Sequence, residues 1–341
     1  MLDNNKELLL KVKNLKKYFP IEKGFLRKNI GVIKAVDDID FEIYNGQTLG
    51  IVGESGSGKS TVGRVILRAI EPTNGDVTFK FKNELPIDIF NLSFEQLRKF
   101  RKYFQMVFQD PISSLDPRMT MFDIISEPLL GNSLTRGSEL EDRVKFVVDA
   151  VGMDLKYLKR YPHAFSGGQR QRIGIARALA SSPKFIVLDE PVSALDVSVQ
   201  AQILNLLADL QNEFELTYLF ISHDLSVVEH ISDRVAVMYL GKIVEFADSK
   251  VIFSNPLHPY TEALLAAEPK PDPSFRLTDI ALSGEIADPS SPPSGCYLHP
   301  RCKYAQSICR NEEPELQEMI DGHKVSCHFA GKLDFNSNTL H

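Results

Sequence analysis

The sequence lacks any hydrophobic run long enough to cross a membrane. Its longest apolar runs, such as residues 263–267, are far shorter than the about 18 residues that a membrane-spanning helix requires. The first residues also lack the basic segment, apolar core and small-residue cleavage site of a secretory signal. We therefore expect a cytoplasmic protein that does not span a membrane by itself.

An excess of basic residues, which marks many nucleic-acid-binding domains, is missing too. The 39 Lys and Arg are outnumbered by 45 Asp and Glu, so the net charge is −6. Hydrophobic residues at 43% and charged residues at 25% are ordinary globular values and exclude disordered and coiled-coil classes. Because 341 residues exceed one ordinary domain, we expect a large domain with an appendage, or two domains.

Cysteine is absent from the first 295 residues. The four cysteines all lie in the tail, at Cys296, Cys302, Cys309 and Cys327. In a reducing cytosol such a group is more often a set of metal ligands than of disulfides. The spacing C-x5-C-x6-C-x17-C differs from the C-x2-C pairs of common zinc sites, and four thiolates can also hold a [4Fe–4S] cluster. An iron–sulfur cluster, a zinc ion and structural cysteines therefore stay open.

Apolar strand patterns alternate with helical patterns in two parts of the chain. The predicted strands and helices are residues 48–52, 61–69, 169–180, 185–188, 199–212 and 218–221. This alternation predicts a mainly parallel sheet, with a mostly helical subdomain inserted over residues 93–162. Nine of the 19 prolines fall within residues 251–300, and this density predicts an extended tail outside the sheet.

A Gly-rich loop follows the first buried strand. It fits G-x-x-x-x-G-K-[ST] and opens a helix, which is the setting that this phosphate-binding motif requires. We expect its backbone N–H groups to surround the β-phosphate, Lys59 to add positive charge, and the Ser60 hydroxyl to bind Mg²⁺. The expected ATP-binding residues of this phosphate loop are Gly53, Glu54, Ser55, Gly56, Ser57, Gly58, Lys59, Ser60 and Thr61.

Two carboxylates end a second buried strand, residues 185–188. The carboxyl end of such a strand is where an α/β sheet places its ligand groups. Asp189 is expected to hold Mg²⁺, and Glu190 to polarise the attacking water as general base. Beside a phosphate loop, this pair indicates hydrolysis of the bound nucleotide.

A second Gly-rich turn opens the helix of residues 169–180. Its free N–H groups and the helix dipole make a further phosphate site. The whole set of motifs resembles the ATP-binding subunits of ABC transporters, whose signature matches Ser166, Gly167, Gly168 and Gln169. Phe165 stands where that family usually has Leu. The resemblance implies an α/β fold, with a RecA-like P-loop ATPase core, an antiparallel β subdomain, an inserted helical subdomain and a C-terminal Pro/Cys-rich tail.

The resemblance assigns roles to further residues. Gln109 is expected to contact Mg²⁺ or water, and His223 to hydrogen-bond the γ-phosphate, so both join Glu190 as catalytic residues. Asp196 lies in the loop that crosses between two ATPase subunits. An early aromatic residue is expected to stack on adenine. Both Phe19 and Tyr18 offer the π face that stacking needs, and Phe19 is the preferred candidate. The implied Mg²⁺ ligands are Ser60, Gln109 and Asp189.

Three segments further resemble oligopeptide and dipeptide importers. They are residues 113–118, the early insertion at residues 24–26, and residues 255–261. The insertion, with Arg27 after it, favours the F-type ATPase of a heterodimeric pair. The implied domains are an ATP-binding core in two parts (residues 1–92 and 166–250), the helical subdomain (residues 93–165) and a C-terminal Pro/Cys-rich domain (residues 251–341).

The resemblance also implies a function. In this family two ATPase subunits bind two ATP molecules between them, and hydrolysis drives membrane partners through a conformational switch. We expect an ATPase that powers peptide import from the cytoplasmic face of the membrane. It would use ATP and Mg²⁺, with a [4Fe–4S] cluster preferred to zinc at the cysteines. The expected partners are a second ATPase, two permease subunits and, indirectly, an extracytoplasmic solute-binding protein, but no nucleic acid.

Three alternatives are weighed against peptide import. The same ATPase could serve oligosaccharides or other small solutes, because this subunit does not touch the cargo. A soluble ABC ATPase acting on nucleic acid or ribosomes usually carries two cassettes or long coiled-coil insertions, and this chain has neither. An exporter ATPase normally has fused membrane helices or lacks such a tail.

Overall fold

The computed structural model describes residues 7–23, 28–81, 85–267, 282, 284–320, 322–333 and 335. The early insertion at residues 24–26 therefore lies outside the described residues. The chain divides into two compact units. The first unit comprises Met1–Leu10, Glu42–Thr48 and Thr78–Ile221, and the second comprises Lys11–Phe41, Leu49–Val77 and Ser222–His341.

Strands and helices alternate along most of the described chain. The strands are β1 (Leu8–Lys23), β2 (Lys28–Tyr44), β3 (Thr48–Val52), β4 (Asn74–Phe79), β5 (Ile87–Asp88), β6 (Phe104–Val107), β7 (Phe185–Asp189), β8 (Thr217–Ile221), β9 (Arg234–Tyr239), β10 (Lys242–Asp248), β11 (Gln317–Ile320) and β12 (His323–Val325). The helices are α1 (Lys59–Ile66), α2 (Phe94–Phe100), α3 (Met121–Gly131), α4 (Ser138–Ala150), α5 (Gly167–Ala180), α6 (Val197–Phe214), α7 (Leu225–Ile231), α8 (Ser249–Ser254), α9 (Pro259–Ala266) and α10 (Ser307–Asn311).

A four-stranded sheet has the order β2-β1-β4-β5. In β2 the buried residues Ile39, Phe41 and Ile43 alternate with residues that are more exposed. A period of two puts these side chains on one face, which packs inward while the other face meets solvent.

The first unit contains the parallel strands β6, β7 and β8. Their register pairs Leu188 of β7 with Val107 on one side and with Phe220 on the other. Every residue of β7 and β8 is buried, as expected for parallel strands that are covered on both faces. The unit also contains helices α2 to α6, and α5 packs against α3, α4 and α6.

The second unit contains β3 and β9 in parallel, and β10 is antiparallel to β9. Strand β12 then pairs with β10, and β11 pairs with β12. The predicted strands at residues 48–52, 185–188 and 218–221 are confirmed. Among the helices in the described part of the chain, none has the length and apolar character needed to cross a bilayer.

Two parts of the chain differ from the sequence-based expectation. The stretch of residues 93–162 holds α2, α3 and α4, but β6 interrupts them because its four residues pair with β7. Residues 251–267, expected to be extended, are largely helical. Pro259 occupies the first turn of α9, where its missing N–H is no loss. Farther along the tail, β12 joins the sheet through β10, which proline density alone does not reveal.

Candidate active site

The phosphate loop connects β3 to α1 in the second unit. Gly53 has a φ of 150° and Gly58 a φ of 105°, which side-chain-bearing residues rarely adopt. A Cβ atom at Gly53 would lie 2.1 Å from the carbonyl oxygen of Met238, and one at Gly58 would lie 2.0 Å from that of Ala35. Both positions therefore require glycine, because neighbouring backbone fills the space that a side chain needs.

Lys59 begins α1 and is only 4% exposed. Its Nζ donates hydrogen bonds to the carbonyl oxygens of Gly53 at 2.7 Å and of Glu54 at 2.8 Å. The ammonium group is thus held against the beginning of the loop. Ser60 and Thr61 are half-buried in the first turn of α1, whereas Ser55 and Gly56 are exposed at the tip.

Glu54 is held by two residues of the C-terminal region. Its carboxylate accepts hydrogen bonds from Nη1 and Nη2 of Arg301 at 2.8 and 3.0 Å. Its backbone N–H donates to the hydroxyl oxygen of Tyr260 at 2.8 Å. The bond with Glu54 raises the pKa of Arg301 above its ordinary value. Sequence reasoning gave neither residue a role at the site; the local signals were that Tyr260 lies in the segment 255–261 that resembles peptide importers and that Arg301 precedes Cys302.

The turn between β9 and β10 joins the loop to β2. The N–H of Gly241 donates to the carbonyl oxygen of Ser57 at 2.9 Å, and the N–H of Asp37 donates to that of Gly241 at 2.8 Å. The Tyr18 hydroxyl donates to the Asp37 carboxylate. Burial alone would raise the pKa of Asp37, but the hydrogen bond from Tyr18 and the charge of Lys242 lower it below its usual value.

The other predicted residues of the second unit are Phe19 and His223. Phe19 is half-buried, with Nζ of Lys17 at 4.8 Å from its ring centroid. As the next residue after Tyr18 in β1, it points to the opposite face of the sheet. His223 is exposed in the turn after β8, next to Asp224, which caps α7.

The first unit brings Gln109 and Glu190 together. Asp189 is the buried last residue of β7, and Glu190 follows it in a left-handed conformation with φ of 47°. The side-chain amide of Gln109 donates to Oε2 of Glu190 at 2.8 Å. A non-glycine residue in this backbone region costs energy and is typical of functional sites. The general-base candidate is therefore oriented by both its backbone and a side-chain partner.

The signature residues form the N-terminus of α5. Ser166 is the N-cap, and its hydroxyl accepts the backbone N–H of Gln169 while the Gln169 side chain accepts the N–H of Ser166. A Cβ atom on Gly168 would lie 2.5 Å from Cγ1 of Val199 in α6, and one on Gly167 would lie 3.3 Å from the Leu195 side chain. Glycine at these positions lets α5 start directly against the beginning of α6.

Asp196, the residue predicted to face a second subunit, is the N-cap of α6 and is exposed. It adjoins Leu195, which lies against the signature turn. Phe165, the departure from the usual Leu, is buried at the N-terminal side of that turn, so a large apolar side chain is retained there.

The four cysteines line one small cavity of about 20 Å³ in the second unit. The sulfur of Cys327 accepts the backbone N–H of Phe329 at 3.5 Å. Burial raises the pKa of Cys296 to about 12 and that of Cys302 to about 11. Within the described residues, no three His, Cys, Asp or Glu side chains are spaced to hold a single metal ion.

Comparison with known proteins supplies the family. The model of the ABC transporter family matches residues 36–193, and that of the oligopeptide/dipeptide transporter C-terminal region matches residues 244–309. The chain is 52% identical over 327 residues to the oligopeptide transport ATP-binding protein AppF of Bacillus subtilis, covering 95% of this chain and 98% of that protein. The chain belongs to the ABC transporter ATP-binding subunits.

A second relative matches this ATP-binding subunit over nearly its full length, and a solved structure matches the larger part of it. The dipeptide transport ATP-binding protein DppF of Haemophilus influenzae is 49% identical over 319 residues, covering 94% of this chain and 96% of that protein. A solved dimeric structure of the ATP-binding cassette MJ0796, in a post-hydrolysis state with ADP and Pi, is 28% identical with a TM-score of 0.60. That match covers 71% of this chain and 99% of the cassette.

The family and the P-loop ATPase fold expected from the sequence are thereby confirmed, whereas the C-terminal Pro/Cys-rich tail stays a prediction. This ATP-binding subunit is an ATPase of an ABC transporter, it uses ATP and Mg²⁺, and such ATPases work as dimers with membrane-embedded partners. The roles given to individual residues, the domain boundaries and the metal at the cysteines stay predictions.

Proposed function

We propose that this ATPase subunit powers the import of oligopeptides or dipeptides. The observation that carries the proposal is the near full-length identity to oligopeptide and dipeptide transport proteins, including the C-terminal region of residues 244–309. Since other cassettes share the ATPase core, that C-terminal region is the part that separates this group from ABC ATPases in general.

The chemistry assigned to the site follows from its groups. Lys59 supplies positive charge to the β- and γ-phosphates, and Glu190 accepts a proton from the attacking water, with Gln109 holding its carboxylate. Ser60, Asp189 and Gln109 offer the oxygen ligands that Mg²⁺ prefers. His223 would hydrogen-bond the γ-phosphate.

Tyr18, rather than the Phe19 preferred from the sequence, is proposed to stack on adenine. Its hydroxyl is bound by Asp37, whose backbone is linked through Gly241 to Ser57 of the phosphate loop. The residue is therefore tied to the strand that contacts the loop, whereas Phe19 points to the other face of β1.

The proposed partners are a second ATPase of the same family, forming a heterodimer, and two permease subunits, with an extracytoplasmic solute-binding protein acting through them. The subunit would sit on the cytoplasmic face of the membrane. In the pair, the phosphate loop of each subunit would face the signature of the other. The domain boundaries at residues 92, 165 and 250 are part of the same proposal.

Affinity purification of the chain from detergent-solubilised native membranes, with mass spectrometry, tests this assignment. We expect two permeases, a second ATPase and a solute-binding protein whose bound ligand is a peptide. A bound oligosaccharide would show that the ATPase role is right and the cargo wrong. Recovery only from the soluble fraction, with nucleic acid or ribosomal proteins, would contradict the importer assignment altogether.

We further propose that Cys296, Cys302, Cys309 and Cys327 bind a [4Fe–4S] cluster. All four line one cavity, and the backbone N–H of Phe329 donates to the sulfur of Cys327, which stabilises the thiolate there.

Anaerobic purification tests the cluster. A brown protein that absorbs near 400 nm and loses this colour in air is expected, with iron and sulfide in equal amounts. Colourless protein with stoichiometric zinc, or with no metal at all, would reject the cluster.

A further inference from the structure

The two contacts that hold Glu54 come from the far end of the sequence. Tyr260 is 206 positions away from Glu54, and Arg301 is 247 positions away. Tyr260 belongs to α9, and Arg301 lies in the segment between Cys296 and Cys302. The C-terminal region thus contacts both the main chain and the side chain of Glu54, the second residue of the phosphate loop.

The ion pair between Arg301 and Glu54 is two-pronged and well shielded from water. Arg301 is 8% exposed, and each of its terminal nitrogens bonds a different oxygen of the carboxylate. A paired fork of this kind fixes orientation as well as distance. If one partner is removed, the other is left as a largely buried charge, so the contact is costly to break.

Tyr260 is held as firmly as Arg301. It is fully buried, its ring centroid lies 4.7 Å from that of Tyr239, and its N–H donates to Nδ1 of His258 at 3.1 Å. The backbone N–H of His258 in turn donates to the buried carboxylate of Glu245 at 3.2 Å. The hydroxyl that receives the Glu54 N–H therefore has a fixed position.

The fixed position of Glu54 also helps to fix the position of Lys59. The carbonyl oxygen of Glu54 accepts a hydrogen bond from the Lys59 ammonium group at 2.8 Å. The residue that Arg301 fixes is therefore one of the residues that place the positive charge of the loop.

We propose that Arg301 is a positioning residue of the ATPase: by fixing the Glu54 carboxylate, it holds the beginning of the phosphate loop and Lys59 in the arrangement that binds the phosphates of ATP. The proposal rests on the assignment of residues 53–61 as the phosphate site. It gives the C-terminal region, whose role in the ATPase cycle the family match does not specify, a direct part in nucleotide affinity.

The test is equilibrium binding of Mg·ATP to the full-length chain, with the melting temperature of each variant measured in parallel. Arg301→Ala is expected to weaken Mg·ATP binding about tenfold, as loss of a charge-assisted pair does. Arg301→Lys should restore part of the affinity, since it keeps the charge and loses the fork. Arg310→Ala removes an exposed arginine of the same tail and should bind as the wild type does.

Two further variants keep the outcome decisive. Glu54→Gln should weaken Mg·ATP binding as much as Arg301→Ala does. The double variant should bind no more weakly than either single variant, because both substitutions remove the same ion pair. These variants also serve if Arg301→Ala does not fold. Equal affinity of Arg301→Ala and Arg310→Ala, or additive losses in the double variant, would overturn the proposal even if the melting temperature falls. Lys59→Ala is the reference: undiminished binding there would instead refute the phosphate-site assignment.

Discussion

At the scale of single residues, Glu190 combines a left-handed backbone with a hydrogen bond from Gln109. Both features orient the carboxylate, and Glu190→Gln keeps the size of the side chain while removing its basicity. We expect turnover to fall by roughly 10² to 10⁴, the range that general-base catalysis contributes, while Mg·ATP affinity stays within about twofold. Phosphate release and equilibrium binding on the same preparation separate the two effects.

The matched control is Glu213→Gln, which makes the same change at an exposed position of α6. It should leave both turnover and binding at the wild-type level. A Glu190→Gln variant that still hydrolyses ATP at the normal rate would show that another group accepts the proton.

At the scale of elements, the turn from β3 to α1 depends on glycine for two separable reasons. Gly56 and Gly58 both have positive φ, but only Gly58 has a backbone oxygen, that of Ala35, in the place of a Cβ. Gly56→Ala should cost about 1–2 kcal/mol of stability from the backbone conformation alone. Gly58→Ala should cost clearly more, because Ala35 cannot move without disturbing β2. Chemical denaturation of both variants measures the difference, and equal losses would contradict the steric argument.

At the scale of the whole molecule, one chain is expected to supply the phosphate loop of one ATP site and the signature of the other. Ser166 should therefore act on the nucleotide that is bound to the phosphate loop of the partner. Ser166→Ala should leave the Mg·ATP affinity of the isolated chain unchanged. Its free energy of unfolding should fall by about 1 kcal/mol, because the helix cap is lost. Turnover of the assembled ATPase pair should fall at least about tenfold, because a contact that stabilises the transition state is lost. Comparing isolated and assembled protein checks this.

Ser93→Ala provides the control for the cap itself. Ser93 makes the same capping box with Gln96 at the start of α2, in the same unit as Ser166. It should lose similar stability and keep full turnover in the assembled pair. If Ser93→Ala slows turnover as much as Ser166→Ala does, the effect comes from helix stability and not from the signature.

The sequence predicts those parts of the site whose signal is local. The strand, glycine loop and helix around Lys59, and the strand that ends at Asp189, follow from patterns a few residues long, and the structure has them where they are expected. The contact of Arg301 with Glu54 joins residues 247 positions apart, and no local pattern records it. Strands β6, β11 and β12 are three to four residues long, too short for periodicity to reveal.

The attachment of Tyr260 and Arg301 to Glu54 has a consequence for modularity. A chain cut after β10 would keep the complete phosphate loop and every catalytic candidate, yet would lose both groups that anchor the second residue of the loop. The cassette and its C-terminal region are therefore not interchangeable parts. A chimera that receives a foreign tail should bind Mg·ATP as tightly as the wild type only if the tail brings its own tyrosine and arginine to the same place.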